Sequence, residues 1–73
     1  MDTQTLEATL KLYFSETREH LERAAAIAKA AEACAQAGNV NKAIEICLDV
    51  EQLIFDVTTF LNAASLMNRM CKN

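Results

Sequence analysis

His20 is the only histidine in the chain, and its side chain is the one best suited to acid–base or metal chemistry near neutral pH. Glu16 precedes it by one helical turn, and Glu19 is its immediate neighbour. A metal or general-base site needs further converging ligands, but the His-x-x-x-His, His-Glu-x-x-His and Glu-x-x-His spacings are all missing. We therefore interpret Glu16 and His20 as an ordinary surface pair. We expect no catalytic residue, no metal and no cofactor.

The three cysteines, Cys34, Cys47 and Cys71, are the next candidates for chemistry. None belongs to a Cys-x-x-Cys pair, and an odd number of cysteines without an export signal indicates reduced thiols. Each cysteine falls on an apolar stripe of its segment. The sequence therefore predicts three small buried apolar side chains rather than a redox or metal site.

An acidic stretch contains Glu45, Asp49, Glu51 and Asp56, and no lysine or arginine occurs in residues 44–67. The favoured interpretation is a solvated face that keeps the protein soluble. The alternative is a docking surface for a basic partner. Asp49 and Asp56 are seven residues apart and share one line along a helix, which keeps that alternative open.

These residues must be positioned by helices, because the 73-residue chain has no proline, one glycine and many good helix formers. Gly38 followed by Asn39 is a typical helix stop and restart, with Asn39 or Asn41 as the next cap. We predict one all-α domain, residues 1–73, with helices over about 3–37 and 40–71 and a turn at 38–39. Asp2, Thr3 and Thr5 are candidate first caps. A break at Ser15 is a lower-ranked alternative.

Apolar residues recur at steps of three and four in both predicted helices, which indicates two long helices packed against each other. When the chain folds back at the turn, we expect small side chains of one helix to lie opposite large side chains of the other. In the first helix the expected face is Leu6, Leu10, Tyr13, Phe14, Thr17, Leu21, Ala24, Ala28, Ala31 and Ala35. In the second it is Val40, Cys47, Ile54 and Leu61 with Ala43, Val50, Val57, Ala64 and Cys71, flanked by Ile46, Leu53, Phe60 and Met67.

The second helix carries more apolar surface than one neighbouring helix can cover, because Ile44, Leu48 and Phe55 widen its apolar arc to about 200°. We therefore expect association. The first hypothesis is a non-enzymatic interaction protein that dimerises into a four-helix bundle. The alternative is a small chaperone, co-chaperone or inhibitor that binds a helical segment of a specific partner. The expected partner-binding residues are Ile44, Leu48, Phe55, Asp49 and Asp56.

The net charge of −3, with acids and bases interleaved, argues against nucleic acid as a partner. No apolar run approaches the ~18 residues of a membrane span, so no membrane partner is expected. The first residues lack the basic and apolar regions of a signal peptide. A cytoplasmic location is the resulting expectation.

The segment 31–45 resembles the middle of one tetratricopeptide repeat, with Ala31, Gly38 and Ala43 at that repeat's small-residue positions. Its larger positions are held by Ile27, Cys34 and Cys47, and no closing proline follows, so we interpret the likeness as shared turn chemistry. The size, acidity and two-helix form also resemble the small co-chaperones of bacterial secretion systems. That resemblance is architectural and implies only the chaperone alternative.

Overall fold

The computed structural model describes residues 2–72, with side-chain surroundings described as far as Met70. It contains two α-helices, α1 over Thr3–Gln36 and α2 over Val40–Lys72. They pack against each other in an antiparallel hairpin of 54 × 15 × 11 Å, measured over Cα atoms. The prediction of an all-α protein built from two packed helices is confirmed. α1 runs through Ser15 without a break.

Asp2 caps the N-terminus of α1. Its Oδ1 accepts a hydrogen bond of 2.7 Å from the Thr5 backbone N–H, which is one of the donors that a helix start leaves unpaired. This bond favours the charged carboxylate, so it lowers the pKa of Asp2 below its ordinary value. Of the three candidate caps, Asp2 therefore does the capping.

The turn between the helices closes through Gly38, the only residue of 2–72 with a positive φ, at 92°. Gly38 N–H donates to the Ala35 carbonyl and Asn39 N–H donates to the Cys34 carbonyl, both at 3.0 Å. This pair of bonds is the Schellman arrangement that satisfies the last carbonyls of a helix. Asn39 then caps α2, because its Oδ1 accepts from Lys42 N–H at 3.1 Å. The same two residues therefore end α1 and begin α2.

The two helices meet along a seam with strictly alternating steps of three and four residues. Six side chains of the described residues are buried, each 5–8% exposed: Ala24, Ala31, Ala43, Leu53, Val57 and Ala64. The half-buried seam positions are Leu6, Leu10, Tyr13, Thr17, His20, Ile27 and Cys34 in α1, and Ile46, Val50, Phe60 and Met67 in α2.

The seam corrects part of the expected packing face. The sequence predicts that Phe14, Leu21 and Ile54 pack between the helices, but each is exposed. The other residues of the expected face that are exposed are Ala28, Ala35, Val40, Cys47 and Leu61. The expected face takes four-residue steps from residue 10 to 14 and from 17 to 21. These steps lead around α1 to a side that does not contact α2. His20 and Ile27, which that expectation left out, are among the α1 residues that occupy the seam instead.

Candidate interaction surface

One broad side of the hairpin, here called the apolar face, has two central rows that carry no charged side chain over residues 14–35 of α1 and 40–61 of α2, and Glu7 continues the α1 row toward its N-terminus. Its larger residues are between 43% and 56% exposed, so the hairpin alone covers only about half of each side chain. The rows are adjacent to the seam, one on each helix, and repeat every seven residues. They consist of Phe14, Leu21, Ala28 and Ala35 in α1 and Val40, Cys47, Ile54 and Leu61 in α2.

Two shallow grooves lie on the apolar face, one at each end. The loop-end groove runs between the alanines of α1, Ala28, Ala31 and Ala35, and an α2 wall that includes Val40 and Cys47. The open-end groove is lined by Leu10, Phe14, Leu61, Ala64, Ser65 and Asn68. The face is therefore lined by small α1 side chains near the turn and by bulky Phe14 and Leu61 near the opposite end.

The flank residues of α2 expected to bind a partner are all exposed: Ile44 and Leu48 at 57% and Phe55 at 66%. Ile44 and Leu48 line the loop-end groove, so they extend the apolar face around α2. Phe55 lines none of the grooves described here and, from its heptad position, lies on the side of α2 that points away from α1.

The other broad side of the hairpin carries a polar groove lined by His20, Arg23, Ile27, Asp49, Gln52, Leu53 and Asp56. Asp49 and Asp56 therefore do not join Ile44 and Leu48 in a single patch. The five expected partner-binding residues are divided between opposite sides of the molecule. The shared line of Asp49 and Asp56 along α2 is present, but it borders α1 instead of pointing away from it.

His20 does not lie on the helix surface, as the sequence suggested, but between the helices, with its side chain 15% exposed. Its Nδ1 is 2.8 Å from the Glu16 carbonyl oxygen, and its Nε2 is 3.4 Å from Asp56 Oδ2. Its ring meets the Phe60 ring edge to face, with centroids 5.2 Å apart, and Phe60 stacks on Tyr13 at 6.1 Å. The cluster links α1 to α2.

The two ring nitrogens of His20 both face oxygen acceptors. A backbone carbonyl can only accept, so Nδ1 carries a proton and donates to Glu16. The Asp56 carboxylate also only accepts, so its contact with Nε2 is attractive when Nε2 is protonated too. Asp56 accepts a second hydrogen bond from Gln52 Nε2, at 2.9 Å. When both ring nitrogens of His20 are protonated, this arrangement is a charge contact between α1 and α2.

The remaining sequence candidates are dispersed. Cys34 is half-buried in the seam, but Cys47 is exposed on the apolar face, so the expectation that it is a buried side chain is wrong. Both are free thiols, and the side chain of Cys71 lies outside the described residues. Glu45 is exposed and lies 3.6 Å from Lys42 Nζ. Among the residues with described side chains, no group of three or more His, Cys, Asp or Glu lies close enough to hold a metal ion.

Comparison of the sequence with family models and curated proteins, and of the fold with solved structures, gave no match. Across residues 2–72, neither helix combines the length and apolar composition that crossing a bilayer would need.

Proposed function

We propose that this protein is a small, non-enzymatic interaction module that self-associates through the apolar face and completes a four-helix bundle. The observation that carries the proposal is the apolar face itself. It offers half-exposed Phe14, Leu21, Ile54 and Leu61 along one side of the hairpin, with no charge in its central rows. Soluble monomers rarely leave contiguous apolar patches larger than a few hundred Å² in water.

The size of the apolar face suits a dimer interface. Seen from this side, the Cα outline of the whole hairpin is 54 × 15 Å, or roughly 800 Å², so a partner that covered the entire side would bury about what each partner contributes to a standard protein–protein interface. Covering it would bury side chains that the hairpin leaves half exposed, at about 25 cal/mol per Å² of apolar area.

The thin core of the hairpin also supports association. Four of its six buried side chains are alanines, and none of the described large side chains is fully enclosed. Domains near this length have little apolar area to bury and often depend on a partner chain for stability. A second hairpin on the apolar face would supply the missing half of the core. Ile44 and Leu48 would lie at the rim of that interface.

Neighbouring residues of α2 provide a matched test. Ile54→Glu places a charge at the centre of the proposed interface, whereas Phe55→Glu places the same charge one residue further on, outside it. Sedimentation equilibrium is expected to show a dimer for the wild-type protein and for Phe55→Glu, and a helical monomer for Ile54→Glu. A dimeric Ile54→Glu variant would contradict the proposal. A monomeric Phe55→Glu variant would move the interface to the outer flank of α2.

A second candidate function is a small chaperone, co-chaperone or inhibitor that binds a helical segment of another protein. The observation that favours it is the loop-end groove, where alanines on α1 allow close approach and Ile44 and Leu48 form a rim. Glu32 and Glu51, which line the same groove, would add docking charges for a basic partner. A wild-type monomer at micromolar concentration that binds an amphipathic helical peptide would support this function over the first.

For either function, we propose a cytoplasmic location. The free thiols of Cys34 and Cys47 are consistent with a reducing compartment. Alkylation of these thiols in intact cells, before lysis, would test it. Oxidised cysteines would contradict it.

A further inference from the structure

Resting on the proposed self-association, we infer that the two copies pack antiparallel on the apolar face, with their turns at opposite ends of the dimer. The two-fold axis crosses the helices level with Leu21 and Ile54. It sets α1 beside the partner's α1 and α2 beside the partner's α2.

The position of the axis follows from the spacing of the face. Leu21 lies seven residues from both Phe14 and Ala28, and Ile54 lies seven residues from both Cys47 and Leu61. His20 contacts Asp56 across the seam, so Leu21 and Ile54 are level to within a residue or two. A two-fold axis at this level therefore aligns each row of the face with the same row of the partner.

Side-chain size selects this arrangement. Phe14 comes over the partner's Ala28, and Leu61 comes over the partner's Cys47, so a large residue meets a small one at each position. At the axis, Leu21 meets the partner's Leu21 and Ile54 meets the partner's Ile54. At the ends, Val40 and Ile44 reach the partner's open-end groove, where small or polar Ser65 and Asn68 form part of the wall. Interdigitation of large and small side chains is how protein interiors reach their density.

The opposite arrangement, with both turns at the same end, packs poorly. It sets α1 beside the partner's α2, so Phe14 meets the partner's Leu61 while Ala28 meets the partner's Cys47. Two bulky residues then collide at the open end. The loop-end groove, which has alanines along its α1 side, faces the partner's loop-end groove and leaves a void. Both overpacking and voids destabilise an interface.

Charge at the edge of the face favours the same choice. Lys11 and Glu32 border the α1 row, and Glu32 lines the loop-end groove. In the antiparallel dimer Lys11 lies level with the partner's Glu32, and the two-fold axis repeats the pair. In the same-end dimer Lys11 faces the partner's Ser65 and Glu32 faces the partner's Ile44, so neither charge gains a partner. Complementary charges at an interface rim mainly set orientation and register.

Pulsed electron paramagnetic resonance tests the arrangement. A nitroxide label is attached at Ala37→Cys, next to the turn, in a chain whose Cys34, Cys47 and Cys71 are changed to Ala. The two labels are expected about 50 Å apart, because each position lies about 16 residues from the axis at ~1.5 Å per residue. In the same-end dimer they lie within roughly 20 Å, since neighbouring helices pack about 8–10 Å apart.

Sedimentation of the same labelled protein separates the two proposals. A monomer overturns self-association and, with it, this arrangement. A dimer whose labels lie within roughly 20 Å overturns the arrangement alone.

A size exchange checks the packing without labels. Ala28→Phe is expected to weaken the dimer by about tenfold or more, because it meets the partner's Phe14. The double variant Phe14→Ala/Ala28→Phe is expected to recover most of this loss, since it exchanges the large and small sites. Both sites are exposed in the single hairpin, so helicity serves as the folding control. If Ala28→Phe tightens the dimer, it is filling the void of the same-end arrangement, and the inference is wrong.

Discussion

Leu53 and Ile54 are adjacent in α2 but occupy different environments, and truncating each in turn tests the seam. Leu53 is 7% exposed and Ile54 is 43% exposed. Leu53→Ala removes a buried side chain and leaves a cavity, so it is expected to cost about 2–5 kcal/mol. That is a large share of the roughly 5–15 kcal/mol that stabilises a folded domain. Ile54→Ala is expected to cost about 1 kcal/mol in a single hairpin, since little more than half of its side chain is covered.

The assay is urea unfolding followed by circular dichroism at low and high protein concentration. The loss of unfolding free energy for Leu53→Ala is expected to be the same at both protein concentrations, because the cavity lies inside one chain. The loss for Ile54→Ala is expected to grow with concentration, because a partner covers the other half of its side chain. Equal losses of unfolding free energy for the two variants in dilute solution would refute the seam, because Ile54 would then be packed between the helices as Leu53 is.

Three further predictions concern single residues. His20→Ala is expected to lower the free energy of unfolding by about 1–2 kcal/mol, measured by urea unfolding, because it loses the contacts of its ring with Phe60 and Asp56 of α2; an unchanged midpoint would contradict the cross-helix role. Capping by Asp2 is expected to persist above its ordinary pKa of 3.8 and to fade as the pH falls through its lowered pKa, which amide exchange at Thr5 would follow; Asp2→Ala should remove this pH dependence. In a variant whose only thiol is Cys47, thiol modification is expected to slow as protein concentration rises, and a constant rate would place Cys47 outside any interface.

The two helices and their turn could be predicted because local chemistry decides them. The chain has one glycine, no proline and a high share of good helix formers, so only residues 38 and 39 offer a stop. The caps also follow local rules, although choosing Asp2 among three candidates needed the structure. None of this depends on how the two helices are rotated about their axes.

The rotation of α2 about its own axis could not be predicted, because apolar rows lie on both sides of the row of residues that faces α1. Leu53 belongs to one row and Ile54 to the other, and hydropathy alone does not distinguish them. In the structure, Ile27 and Cys34 occupy the loop half of the seam while the smaller Ala28 and Ala35 are exposed, and His20 lies 3.4 Å from Asp56 across the seam. The sequence therefore predicts that the apolar face packs inside one chain, whereas the structure has it on the outside.

The turn at Gly38 has a consequence for how many chains share the seam. Its left-handed φ is the one backbone conformation in residues 2–72 that other residues rarely adopt, although a Cβ there would meet no neighbouring atom. If this position became helical, α1 and α2 would join into one rod, and its two halves could pair only with those of another rod. The same seam would then form between chains, as a domain swap. Gly38 thus keeps the seam within one molecule and leaves the apolar face as the surface for a second.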